Sequence, residues 1–143
     1  MDLDFFTRYL DAWNRHGVDE LLGFLTDDCT YADVALNESH QGKDDIRQFF
    51  AHMATDFSSD YAFEPGLVVA TDSGYALEWV MRGTHDRTSA QLPATGKPYA
   101  IRGVSVGELR NGKIARNTDY WSLAEFLGQV GMMPLPAAAA SGT

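Results

Sequence analysis

Leu3, Phe6, Leu10 and Trp13 fall at three- and four-residue steps, with Phe5 and Tyr9 beside them. That spacing predicts an amphipathic helix over about 3–15. The chain turns at Gly17, and Val18, Leu21, Leu22 and Leu25 repeat the helical step in a second, shorter helix. "CTYADV", 29–34, is β-branched and aromatic between polar flanks and reads as a short strand. Ile46, Phe49, Phe50 and Met53 restore the helical period and predict a third helix over about 43–55.

The period then falls to two. "YAFEPGLVVATDSGYALEWVMRGTH" gives two strand runs joined by the turn signal "TDSG", with a bulge or sheet edge expected at Pro65 and Gly66. A polar loop fills 86–97. Two further strands, about 98–109 and 113–121, flank the Asn-Gly turn of "RNGK". A short helix, "LAEFLGQVG", follows, and "MPLPAAAASGT", 133–143, reads as a frayed tail beyond a single domain spanning 1–132.

Alternation decides which side chains share a face. Tyr75, Leu77, Trp79, Met81, Gly83 and His85 are the more apolar set of their strand and are expected to face the core. On the next strand the choice of Tyr99, Ile101, Gly103 and Ser105 over Ala100, Arg102, Val104 and Val106 is less sharp. The last strand is undecided: Ala115, Asn117, Asp119 and Trp121 oppose Ile114, Arg116, Thr118 and Tyr120, and both sets are mixed. Helices early and a strand meander late predict an α+β fold, a strongly curved, mainly antiparallel sheet wrapped around the N-terminal helices as a cone-shaped barrel.

Composition narrows the partners. Of 143 residues, 45% are hydrophobic and 12% aromatic, enough for one good core. Eleven basic against 20 acidic residues leave a net charge of −9, which repels phosphate backbones and makes nucleic acid and anionic membrane poor partners. The single cysteine, Cys29, permits no internal disulfide and reads as a small buried hydrophobe. Acidic residues at the start of the chain and no long apolar run point to a cytoplasmic protein.

"RYLDAWNRHGVDELLGFLTDDCTYAD", followed by "QGKDDIRQFF", resembles the opening of the nuclear transport factor 2-like superfamily. The later "GTH", "PATGK", "RG", "NGKI" and "DYWS" resemble its SnoaL-like polyketide cyclase branch, over about residues 3–130. Two departures stand out: "NGKI" replaces a "DGKI"-type turn, and Ser122 replaces an acid. The resemblance implies a cone whose interior takes a hydrophobic ligand, with no metal or organic cofactor, and a homodimer. It implies that Asp119 points into the cavity as acid and base for aldol or other proton-transfer chemistry. In the related ketosteroid isomerases the general base falls at Asp33 and an oxyanion donor at Tyr9. Their second donor, an aspartic acid, falls near Ser105, which disfavours steroid-type isomerisation.

Each candidate has a plainer reading. Asp119 is otherwise a structural, hydrogen-bonded aspartate, Asp33 a strand-end cap and Tyr9 a core tyrosine. His85 either acts as a general acid or anchors the 86–97 loop. Trp13, Phe50, Trp79, Met81, Tyr99 and Trp121 either line an apolar pocket or fill the core, and Asn117 and Ser105 supply polar contacts. Glu78 and Arg102 are expected to pair on the outer face, and His52 and Asp56 to form a solvated one. The histidines show no metal-ligand spacing, and there is no nucleophile elbow, P-loop or dinucleotide fingerprint. Two rivals follow: an epoxide hydrolase, needing an inward Arg102, and a ligand-binding or dimerising module, expected to have a filled interior.

Overall fold

The structure, a computed structural model, describes residues 2–90 and 92–134. Most of the tail expected at 133–143 lies outside the described residues. The elements run α1 (Asp4–Asn14), α2 (Val18–Leu22), β1 (Leu25–Asp33), β2 (Glu38–Gln41), α3 (Gly42–Asp56), β3 (Ala62–Ala70), β4 (Gly74–Thr84), β5 (Pro98–Arg110), β6 (Lys113–Trp121) and α4 (Leu123–Gln129). Six strands form one curved, unclosed sheet in the order β2-β1-β6-β5-β4-β3. All neighbours are antiparallel except β1 and β6, which run parallel. The fold is the α+β cone that the element order predicts.

Two details escaped the pattern. β1 begins at Leu25, earlier than expected, because Leu25, Cys29, Tyr31 and Asp33 all bury while Asp27 and Asp28 stay exposed. The segment after it carries a short strand, β2, whose exposed polar residues give no period-two signal. Leu3 caps α1 and is exposed, so the buried stripe of that helix is Phe5, Phe6, Tyr9, Leu10 and Trp13.

The sheet's concave face holds the core. Tyr75, Leu77, Trp79 and Met81 on β4 and Tyr99, Ile101 and Ser105 on β5 are buried, as alternation predicts. The β3–β4 register slips between Pro65 and Val68, the irregularity the Pro-Gly pair announces. A second slip decides the site. Between Glu108 and Leu109 the partner on β6 jumps from Arg116 to Ile114, which leaves Ala115 as an extra residue. Ile114 therefore buries on the same side as Asn117 and Asp119, although strict alternation puts it opposite.

Large aromatics and glycines face each other across β4 and β5: Tyr75 pairs with Gly107, and Trp79 with Gly103. A Cβ on Gly103 would lie 2.2 Å from the Trp79 ring, and one on Gly107 would lie 2.6 Å from the Tyr75 hydroxyl. No side chain fits under either ring, so the missing Cβ atoms let both aromatics fold across β5 toward β6.

Candidate functional site

A cavity of about 730 Å³ opens between the sheet's concave face, α1, α3 and α4. Tyr9, Tyr31, Asp33, Trp79, Ser105, Asp119 and Trp121 belong to its wall, with Phe49, Met53, Leu77 and Phe126 among its apolar surfaces. Parallel pairing sets Asp33 beside Asp119 and Tyr31 beside Asn117. The two aspartates thus share one cavity.

Asp119 is buried, at 8% exposure, and three side chains donate to it. Tyr31 Oη donates to Oδ2 at 2.6 Å, and Ser105 Oγ and Asn117 Nδ2 donate to Oδ1 at 2.6 and 2.8 Å. Two of these donors are themselves oriented. Trp79 Nε1 donates to Ser105 Oγ at 2.9 Å, which leaves that hydroxyl's own proton for Asp119. Tyr75 Oη donates to Asn117 Oδ1 at 2.5 Å, which turns the amide's NH₂ toward Asp119. Gly103 and Gly107 make both relays possible, because they admit the Trp79 and Tyr75 rings.

A carboxylate offers about four lone pairs. Three are occupied, and the free one is on Oδ2. Burial, the largest effect, lifts the Asp119 pKa; Ser105, Tyr31 and Asn117 pull it down; nearby Asp33 adds a small upward push, for a value of about 6. Such a group accepts and returns a proton near neutral pH.

Asp33, at 5% exposure, accepts from Trp121 Nε1 at 3.0 and 3.1 Å and from the Leu36 backbone N–H at 3.0 Å. Burial raises its pKa too, while the Trp121 and Leu36 bonds oppose the rise. The contact to Leu36 is the strand-end cap of the plain reading, made by a side chain that also faces the cavity. Tyr9 lines the cavity and is buried at 2% exposure. Burial, then the Asp119 charge, pushes its phenol above the ordinary value and keeps it protonated.

Trp13, Trp79, Met81, Ser105 and Trp121 also lie on the cavity wall. Four expected residues do not. His85 is not part of the wall: its Nδ1 lies 3.1 Å from Thr95 Oγ1, its backbone bonds Thr95, Gly96 and Lys97, and its ring packs on Phe57 and Phe126. It anchors the 86–97 loop, and burial lowers its pKa. Phe50 packs into the core against Trp13 and Tyr31, while its neighbour Phe49 reaches the cavity. Tyr99 packs against Phe57 and Phe126. Asn117 stands behind Asp119 and acts on it without belonging to the wall.

Glu78 and Arg102 do not pair. Glu78 accepts weakly from the Leu67 backbone, whereas Arg102 sits opposite Val80, with its side chain 82% exposed and 4.0 Å from Glu125. Arg102 is on the face away from Asp119. Tyr31 is the residue the sequence reading passed over. It lies two positions before Asp33 on the same strand, so the rule that turned Asp33 inward also turns Tyr31 inward.

Among the described residues, no three His, Cys, Asp or Glu side chains are grouped to hold a metal ion, and no helix is long and apolar enough to cross a membrane. None of the curated proteins matches the chain significantly. Solved structures do. A provisionally named polyketide cyclase from Silicibacter sp. TM1040 is 30% identical, with 88% of this chain and 92% of that one covered and a TM-score of 0.76. Another, from Xanthomonas campestris pv. campestris, is 27% identical over 89% and 94% of the chains, again at 0.76. A protein with a ketosteroid isomerase-like fold from Catenulispora acidiphila DSM 44928, in complex with trimethylamine, is similar at 19% identity, covering 96% and 100%, with a TM-score of 0.80. The SnoaL-like domain family matches residues 6–117, a span that stops short of Asp119. With most of its length matched, the chain belongs to the SnoaL-like domain family.

Proposed function

We propose that the protein is an enzyme of cyclase or isomerase type, moving protons on a hydrophobic carbonyl-bearing small molecule through Asp119. One observation supports this above the others: a buried carboxylate, lifted toward neutrality and held by three oriented donors, on the wall of a cavity sized for a small ligand. In the proposed step Asp119 Oδ2 takes a proton from the carbon beside the carbonyl. The C–H electron pair becomes the enolate double bond, and the carbonyl pair moves onto oxygen. Tyr9, kept protonated by burial, donates a hydrogen bond to that oxygen. The enolate carbon then attacks a second carbonyl, closing a ring, or is reprotonated at another carbon; Asp119 returns its proton to the new alkoxide or carbon.

The geometry favours this over epoxide opening and over a purely dimerising module. An outward Arg102 gives no guanidinium beside Asp119 for epoxide opening. A 730 Å³ hollow is not the filled interior of a purely dimerising module. The proposal keeps a homodimer, for which Val106 and Tyr120 offer exposed apolar surface on the outer face; sedimentation velocity reads it directly.

Deuterium exchange tests the chemistry without the natural substrate. A slowly exchanging bicyclic aryl ketone, such as 1-tetralone, is incubated with the protein in D₂O. Wild type is expected to speed deuterium uptake beside the carbonyl, and Asp119→Asn to lose that acceleration by ~10²–10⁴-fold. Equal exchange by both proteins at matched occupancy would remove Asp119 from the reaction.

A further inference from the structure

The cavity wall is uneven in charge. Asp33, Glu38, Asp45, Asp56 and Asp119 lie on it, and among the described residues no Lys or Arg does. Asp33 and Asp119 belong to its buried part. Glu38, Asp45 and Asp56 are about half exposed and form its rim. α3 builds most of that rim: Asp45, Phe49, His52 and Asp56 recur at three- and four-residue steps along one helical face. The face expected to be merely solvated, with His52 and Asp56, therefore overlooks the cavity. Eleven residues at 1.5 Å rise set Asp45 and Asp56 about 16 Å apart, so the carboxylates flank the length of the opening rather than one corner.

The partners on the rim are imidazoles rather than fixed cations. His40 lies 3.2 Å from Asp45 and 3.4 Å from Glu38, and His52 lies 3.8 Å from Asp56. Neither is Lys or Arg, and three carboxylates share the two rings. Behind the rim the wall turns apolar and aromatic, with Trp13, Trp79 and Trp121 on it. A cation can rest against such ring faces, whereas a carboxylate cannot.

From this distribution, and resting on the reading of the cavity as the substrate site, we infer the charge class of the substrate. It is an apolar, carbonyl-bearing molecule with a basic nitrogen and no free carboxylate or phosphate. Its cationic end lies among the rim carboxylates, and its neutral carbonyl end meets Asp119. An anionic substrate would meet like charge at both ends of the path, with no Lys or Arg to receive it.

The chain's three tryptophans all line the cavity, so intrinsic fluorescence reports its occupancy. The test uses three probes on one skeleton: 1-naphthylacetic acid, its methyl ester, and 1-naphthylethylamine. Measurement is at pH 8. The amine is expected to bind on the order of tenfold tighter than the acid at 0.1 M salt and by a larger factor at 0.01 M, with the ester between them. Glu38→Gln, Asp45→Asn and Asp56→Asn together should shrink the amine-to-acid ratio toward one while the ester's affinity holds. Tighter or equal binding of the acid, a ratio indifferent to salt and to the triple variant, or no binding of any probe would overturn the inference. Its failure is separable from that of the proton-transfer reading. Deuterium exchange with a reversed charge order sinks only this inference, and the expected order without exchange sinks only the chemistry.

Discussion

Asp119→Asn isolates a competition inside the wild-type site. Burial pushes the Asp119 pKa up, and three donors pull it down. If burial wins, the folded chain holds this proton up to about pH 6, while the unfolded chain releases it near 3.8. The unfolded state then binds fewer protons across that window, so stability falls as pH rises. The full difference corresponds to ~3 kcal/mol lost by pH 8, of which roughly half falls between pH 5 and pH 8. The amide keeps the shape and removes the titration. Asp33, also raised, and His85, lowered, titrate in both proteins and largely cancel in the difference. Urea denaturation of both proteins at pH 5, 6, 7 and 8 gives the result. The stability of Asp119→Asn minus that of wild type should climb by ~1 kcal/mol from pH 5 to pH 8, most steeply between pH 5 and pH 6 and levelling off above. A flat difference, or one that declines, would mean that Tyr31, Ser105 and Asn117 outweigh burial. Asp119 would then be an ordinary ionised aspartate at neutral pH, and the acid half of its proposed role would fail.

Tyr31→Phe removes the 2.6 Å donor to Oδ2 but keeps the ring that packs on Phe49 and Phe50. The midpoint of the pH-dependent stability should rise above 6, exchange of 1-tetralone at pH 7 should slow by about tenfold or more, and stability should drop by ~1 kcal/mol; an unmoved midpoint would show that Tyr31 does not hold the carboxylate. Gly103→Ala drives a methyl into the Trp79 ring and should cost ~1–3 kcal/mol by overpacking, with a visible change in tryptophan emission as Trp79 loses Ser105. Unchanged emission and stability would mean that the ring does not need that gap. His85→Ala should speed protease cleavage within 86–97 severalfold and leave naphthyl-ester binding within twofold; a large binding loss would place His85 at the cavity after all.

Local chemistry determined the elements. Helical steps from Phe6 to Trp13 and from Ile46 to Met53, the Asn-Gly turn at 111–112, and alternation on β4 read directly into the fold, because burial of one face is a property of spacing. Residues facing one another across β4 were legible for the same reason. The exposed strand β2 was not, because it buries no face and is held by pairing to β1. The orientation of β6 was not legible either. Its two faces are equally mixed, and an extra residue at Ala115 breaks the alternation, so only the register against β5 turns Asn117 and Asp119 inward. The parallel pairing of β1 with β6, which brings Tyr31 to Asp119 across 88 residues and Asp33 beside it, is a long-range event with no local signal. Sequence named the aspartate; the tertiary structure supplied its three donors, its burial and the acid-rimmed hollow it faces, because a carboxylate's proton affinity is set by what surrounds it in space.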